Sequence, residues 1–234
     1  IPYMNTAGEL KSKPAQHSVK ELRSIGLFPN IIICRADREV DTDILDKISL
    51  FCNVPRANVF QSIDLDSIYK VPLEFHKQGL DTKIAELLGI WASEPDMREL
   101  ERVVHNVENP KAIVNIGVVG KYMDLIESYK SLDEALRHGA IDNQVQLKMT
   151  YIDAEDLESG KLDQIKECDG LLVPGGFGQR GTEGKIQAIK FARENNIPFF
   201  GICLGMQLAM VEFARNMAGI KNATSMEFDK GGDF

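Results

Sequence analysis

The sequence contains no run approaching the roughly 18 consecutive apolar residues of a membrane-spanning helix. Its four cysteines, Cys34, Cys52, Cys168 and Cys203, form no Cys-x-x-Cys pair and no Cys/His cluster at zinc spacing. That excludes a zinc ribbon or a dithiol redox motif and predicts a reduced, cytoplasmic setting. Positive charge is in deficit: 27 Lys and Arg stand against 35 Asp and Glu, for a net charge of -8 and a pI near 5.1. A general nucleic-acid binder is thereby disfavoured, while a local basic patch for a nucleotide stays compatible. There is no internal repeat and no low-complexity tract. The opening Ile-Pro-Tyr-Met-Asn lacks both the basic and the apolar segment of a signal peptide, and lacks an initiator Met. It is read as internal sequence. Histidine is scarce too: only His17, His76, His105 and His138 are present.

What is present is an ordinary globular composition, 44% hydrophobic and 26% charged over 234 residues, enough for one large or two small domains. The most informative stretch is 197–207. An apolar run enters Gly201-Ile-Cys203-Leu-Gly205, and a helical pattern follows through Leu204, Leu208 and Val211. Strand, sharp turn and helix around Gly-x-Cys-x-Gly is the cysteine version of a nucleophile elbow. The positive end of the helix behind the sulfur favours the reactive thiolate form. A buried structural cysteine beside a tight turn fits the same five residues about as well.

The second half alternates. Strands are predicted at 112–120, 145–152 and 169–174, with helices at 128–138 and 182–195, before the elbow and its helix. This is a doubly wound parallel α/β sheet. The C-terminal ends of such strands share one edge, so the turn Gly175-Gly176-Phe177-Gly178 and the elbow would both lie there. The N–H of Leu204 and an N–H of the Gly175-Gly176 turn would suit a developing oxyanion, each such donor being worth roughly 3 kcal/mol. A general base is not evident, because no histidine follows the elbow. Gly117-x-x-Gly120-Lys121 fails as a phosphate loop on spacing and on the Tyr122 that follows.

The first half offers a short strand at 30–34, a helix at 43–52, a strand beginning at Val59-Phe60 and a charged, helix-rich linker at 79–110. Lys11 and Lys13 precede Pro14, and Ser18 with Glu21 predicts a capping box and a helix start near Ser18. Two lysines before a helix N-terminus suit an anion such as phosphate, or are plain solvated charges.

Several motifs together resemble the CTP synthase family, which joins an amidoligase (synthetase) domain to a class I glutamine amidotransferase domain. They are residues 8–22 (with Lys-Ser-Lys-Pro-Ala-Gln), Ile-Cys-Arg (33–35), Asp-Ser-Ile-Tyr-Lys-Val-Pro (66–72), Val-Gly-Lys-Tyr (119–122), the glycine-rich segment 172–185 and Gly-Ile-Cys-Leu-Gly-Met-Gln (201–207). The resemblance implies a P-loop-type synthetase part over 1–78, a linker over 79–110 and a flavodoxin-like glutaminase part over 111–234, both domains being truncated. It implies that Cys203 attacks glutamine, that Gly176 and Leu204 form the oxyanion hole, and that Gly205, Met206, Gln207 and Glu227 hold the glutamine. Lys11, Ser12, Lys13, Pro14, Ala15, Gln16 and Lys47 would bind UTP, or CTP as feedback inhibitor. Arg35, Ile63, Asp64 and Leu65 would lie at ATP.

ATP with Mg2+ would act in the synthetase reaction, and GTP would activate the glutaminase through a lid at 177–185. A homotetramer is expected, with no nucleic-acid or membrane partner. The metal ligands and P-loop would lie before Ile1, and the catalytic His and Glu after Phe234, so no metal ligand is expected in this chain. The chain alone is expected to lack full CTP synthesis and normal glutaminase turnover. The family's usual lysine motif has Thr where Ser12 and Ala15 stand; Ala15 loses one hydroxyl, a hydrogen bond commonly worth about 1 kcal/mol. A different class I amidotransferase would explain Cys203 but not residues 8–72. A catalytically inactive nucleotide-binding or filament-forming relative would explain the missing base.

Overall fold

The computed structural model describes residues 1–6, 8–121, 129–226 and 228. The chain divides into two compact units, Ile1–His105 and Asn106–Phe234.

The first unit opens with a small antiparallel pair, β1 (Tyr3–Met4) and β2 (Glu9–Leu10). Helix α1 (Lys13–Ser24), strand β3 (Ile32–Ala36), helix α2 (Thr42–Cys52) and strand β4 (Val59–Ile63) follow. β3 and β4 pair in parallel, Ile32 opposite Val59 through Ala36 opposite Ile63. The α2 face bearing Ile44, Leu45, Ile48 and Cys52 packs with Cys34, Ala36 and Val59, and with Val19 of α1. Two short helices, α3 (Val71–Lys77) and α4 (Leu80–Leu88), pack on each other, and α5 (Arg98–Glu108) spans the boundary between units.

Two sequence expectations change here. The 30–34 run reads as a strand covered on both faces, but β3 alternates: Cys34 and Ala36 are buried while Ile33 and Arg35 are exposed. One face of this two-stranded sheet is open. Helix α1 begins five residues before the expected start, because Pro14 occupies its first turn, where a missing N–H costs nothing. Ser18 is therefore inside the helix and donates to the Pro14 carbonyl at 3.1 Å instead of capping.

The second unit is the predicted alternation: β5 (Ala112–Gly120), α6 (Lys130–Asp142), β6 (Val145–Asp153), short helices α7 (Ala154–Glu158) and α8 (Asp163–Lys166), β7 (Gly170–Val173), α9 (Thr182–Glu194), β8 (Phe199–Gly201) and α10 (Leu204–Asn216). The four strands are all parallel, in the order β6-β5-β7-β8. That is the 2-1-3-4 order of flavodoxin-like sheets. All four residues of β7 are buried, as a central parallel strand requires. Val119, Ile152, Leu157, Ile165, Leu171 and Val173 meet Ile186, Ile189, Leu204 and Leu208 in one core. Glu212 of α10, 1% exposed, accepts three hydrogen bonds from Arg193 of α9 at 2.9–3.1 Å, which ties the two helices behind the sheet edge.

Candidate functional site

The site of the second unit is made mostly by backbone. β8 ends at Gly201, and Ile202 N–H donates to Val173 O at 2.9 Å, so the elbow stays locked to β7. Cys203 then takes φ 51° and ψ -104°, a left-handed conformation in which a non-glycine residue is strained by about 1–3 kcal/mol. Helix α10 begins at the next residue. The two flanking glycines are steric necessities. A Cβ on Gly201 would stand 2.6 Å from the Gly205 carbonyl carbon, and one on Gly205 would stand 2.1 Å from Val173 O. The turn can therefore be this tight only with hydrogen at both positions. Its consequence is an exposed thiol, in contrast to Cys34, Cys52 and Cys168, which are all buried.

The glycine turn after β7 meets the elbow. A Cβ on Gly175 would lie 3.6 Å from Cys203 Cβ, and one on Gly176 would lie 3.6 Å from Leu204 Cδ2. Leu204 N–H, at the first position of α10, has no helical acceptor. Among the described residues neither it nor the Gly176 N–H donates a hydrogen bond. Two orphan donors beside an exposed thiol can accept an oxyanion. Met206 and Gln207 are exposed on the first turn of α10, whereas Leu204 and Gly205 are buried beneath it. Gly205 is thus explained by packing against β7. Glu227 lies outside the described residues. Cys203 Sγ forms no hydrogen bond with any described residue. Lys121 donates to the Phe177 carbonyl, which fastens the end of β5 to the glycine turn. Sequence reading rejected Lys121 as part of a phosphate loop and left it without a role.

The three buried thiols behave differently. Burial pushes Cys34 up to about 11, and raises Cys52 and Cys168 as well. These are inert core groups.

In the first unit the expected ligand residues form two groups. Lys11 pairs with Glu9, and Ser12 Oγ accepts from Gln16 Nε2 at 3.0 Å at the start of α1. Lys13 and Pro14 are exposed in the first turn, and Ala15 packs against the core beside Val19. Lys11 chiefly, and Lys47 of α2 to a smaller degree, hold the Glu9 carboxyl below its usual range. The charge of Lys47 is therefore felt at the same carboxylate as that of Lys11. Glu9 was missed in the sequence reading, where a lone acidic residue before the motif carries no periodic or spacing signal. The second group lies where β3 and β4 end. Arg35 Nε donates to Asp64 Oδ1 at 2.9 Å, and Asp64 N–H donates to Ala36 O at 2.9 Å. Ile63 and Leu65 instead line a small cleft with Val71 and Phe75.

Comparison with known proteins bears on both units. Residues 1–90 match the family model described as CTP synthase N-terminus, and residues 124–232 match glutamine amidotransferase class-I. The CTP synthase of Desulfotalea psychrophila is 56% identical over 98% of this chain, and that of Syntrophus aciditrophicus is 53% identical over 98%. The chain is thus similar to CTP synthases over nearly its whole length. It spans 42–43% of the length of these relatives. The glutaminase domain of Trypanosoma brucei CTP synthase, solved with bound acivicin, is 44% identical at a TM-score of 0.49, over 51% of this chain and 47% of that one. Among the described residues no helix is long and apolar enough to cross a membrane.

Proposed function

We propose that the protein carrying this chain is a glutamine-dependent CTP synthase. Residues 1–78 would be part of its synthetase domain, 79–110 the linker, and 111–234 part of its glutaminase domain. The observation that carries this reading is the exposed, strained Cys203 at the head of α10, beside two unbonded N–H groups, in a chain similar to CTP synthases.

Cys203 Sγ attacks the side-chain carboxamide carbon of glutamine. The S–C bond forms, the carbonyl π pair moves to oxygen, and Leu204 and Gly176 N–H receive that charge. Collapse breaks the C–N bond, the departing nitrogen takes up a proton and leaves as ammonia, and a thioester remains for water to cleave. Met206 and Gln207 flank the thiol on the exposed first turn of α10, where they would contact glutamine together with Glu227. Gly205 would shape that pocket from below.

In the synthetase unit, Lys11, Lys13 and Lys47 offer positive charge to the triphosphate of UTP, or of CTP as inhibitor. Ser12 and Gln16 would add hydrogen bonds, Pro14 would set the first turn of α1 at the nucleotide, and Ala15 would hold the loop against the core. Arg35, Ile63, Asp64 and Leu65 would sit at ATP. The Arg35–Asp64 ion pair fits a nucleotide site in which the guanidinium exchanges a carboxylate for a phosphate. ATP with Mg2+ would supply a phosphoryl group to the uracil O4, with ADP leaving, and ammonia would then bond to C4 and expel the phosphate. GTP as activator, a homotetramer and a cytoplasmic location complete the reading, and all three rest on the family resemblance.

The test is Cys203→Ala in the protein carrying this chain. Glutamine-dependent CTP formation should fall at least about a thousandfold while ammonia-dependent formation stays within twofold. Equal loss of both activities would refute the assignment of Cys203.

A further inference from the structure

Lys185 is the unusual buried charge of the second unit. It stands on the first turns of α9, is 2% exposed, and its ammonium makes no hydrogen bond or ion pair with any described residue. Among the described residues, the other buried charged side chains of this unit each have a partner: Glu212 is paired with Arg193, and Asp133 accepts from the Tyr151 hydroxyl at 2.6 Å through one oxygen, its Oδ1 being left unbonded. Burial first, and then the neighbouring charge of Lys121, push the Lys185 ammonium below its usual range. A methionine would fill the same volume without that desolvation cost, so packing does not explain an amine here.

Its position does. Lys185 Nζ lies 3.7 Å from the point where a Gly176 Cβ would stand, and Leu204 Cδ2 lies 3.6 Å from the same point. The amine and the first residue of α10 therefore enclose Gly176, whose N–H is one of the two orphan donors beside Cys203. A cation without a carboxylate, buried against that turn, has its charge uncompensated until negative charge arrives at the elbow.

We propose that Lys185 is a positioning residue of the thiol site, holding the Gly175-Gly176 turn against the elbow and lending positive charge to the oxyanion formed on attack by Cys203. The proposal rests on the glutaminase reading. In the addition step the S–C bond forms, the carbonyl π pair moves to oxygen, and Lys185 neither gives nor takes a proton.

Two reagents separate this role from a structural one. L-Glutamate γ-methyl ester acylates a thiol through an oxyanion: the S–C bond forms, the C–O bond breaks, and methanol leaves with a proton. Iodoacetamide alkylates the same thiol by displacement of iodide, with no oxyanion. Both are followed by mass spectrometry at Cys203 of the protein carrying this chain. Lys185→Met should slow acylation by the ester about 10- to 100-fold, leave alkylation within twofold, and leave the melting temperature unchanged or higher. Lys185→Gln, which keeps polarity without charge, should slow acylation similarly and carries the test if the Met variant does not fold.

Acylation within twofold of the unsubstituted chain in a folded variant overturns the proposal. So does equal slowing of both reagents with a lowered melting temperature. If the unsubstituted protein carrying this chain is alkylated at Cys203 but never acylated by the ester, the glutaminase reading fails and the proposal falls with it. If it is acylated and the variants match it, only the proposal falls.

Discussion

The elbow of the second unit and the lysine loop of the first are both ligand sites in this account, yet they are built from different material. At the elbow the decisive groups are backbone: two orphan N–H donors, a left-handed φ at Cys203, and glycines whose hydrogens face a carbonyl within van der Waals contact. In the lysine loop they are side chains: Lys11 balanced by Glu9, Lys13 in solvent, and Lys47 of α2 adding its charge to the field at the same carboxylate. A backbone site is inseparable from the fold that makes it. A side-chain site can be altered while the fold persists.

The strongest way to break this comparison is Gly205→Ala. The added methyl would stand 2.1 Å from Val173 O, a backbone atom inside the central sheet. We expect a loss of more than about 4 kcal/mol in denaturant unfolding of the second unit, together with loss of Cys203 labelling. Stability within about 1 kcal/mol of the parent would show that α10 can retreat from β7, and that the elbow is less constrained than described.

Next in size is the contrast between core and elbow thiols. Cys34 holds its proton up to about 11 when folded, against 9.0 for the ordinary thiol. The folded state therefore binds more protons than the unfolded state in that interval. The thiol's contribution is intact below about 9 and is lost as pH climbs towards about 11, amounting to at most about 2–3 kcal/mol. Unfolding of the first unit followed across this window should show the decline, and Cys34→Ala should remove that part of it. A Cys34→Ala profile parallel to the parent's would assign the decline to other groups.

Strain at the elbow gives a smaller effect of opposite sign. Cys203→Gly relieves a left-handed φ of 51° and should raise stability by about 1 kcal/mol while abolishing thiol chemistry. A destabilised variant would mean that the cysteine side chain packs more than it strains. Smallest of all is the structural effect of Lys13→Ala, an exposed residue at the start of α1. Stability should change by less than about 0.5 kcal/mol, yet protection of the lysine loop from proteolysis by UTP or CTP should be lost. Undiminished protection would remove Lys13 from the nucleotide site.

The elbow was legible in the sequence because its chemistry forces its spelling: only glycine fits at 201 and 205, and the apolar strand before and helical period after are unmistakable. The alternation of the second unit was legible for the same reason, since buried parallel strands such as 170–173 are continuous apolar runs. The first unit was less so. Pro14 reads as a helix breaker unless one knows it sits in a first turn, so the start of α1 was placed too late. The open face of β3 was hidden because Ile33 is apolar yet exposed. Lys121 and Lys185 fall inside motifs the sequence shows, 119–122 and 172–185, but their contacts depend on which strand end and which turn they approach, not on spacing along the chain.

The most direct test of the central claim is labelling of the chain by a glutamine-analogue chloroketone, mapped peptide by peptide. The account predicts modification of Cys203 at least tenfold faster than of Cys34, Cys52 or Cys168, with free glutamine slowing only the reaction at Cys203. Equal modification of the four thiols, or a Cys203 reaction indifferent to glutamine, would contradict it.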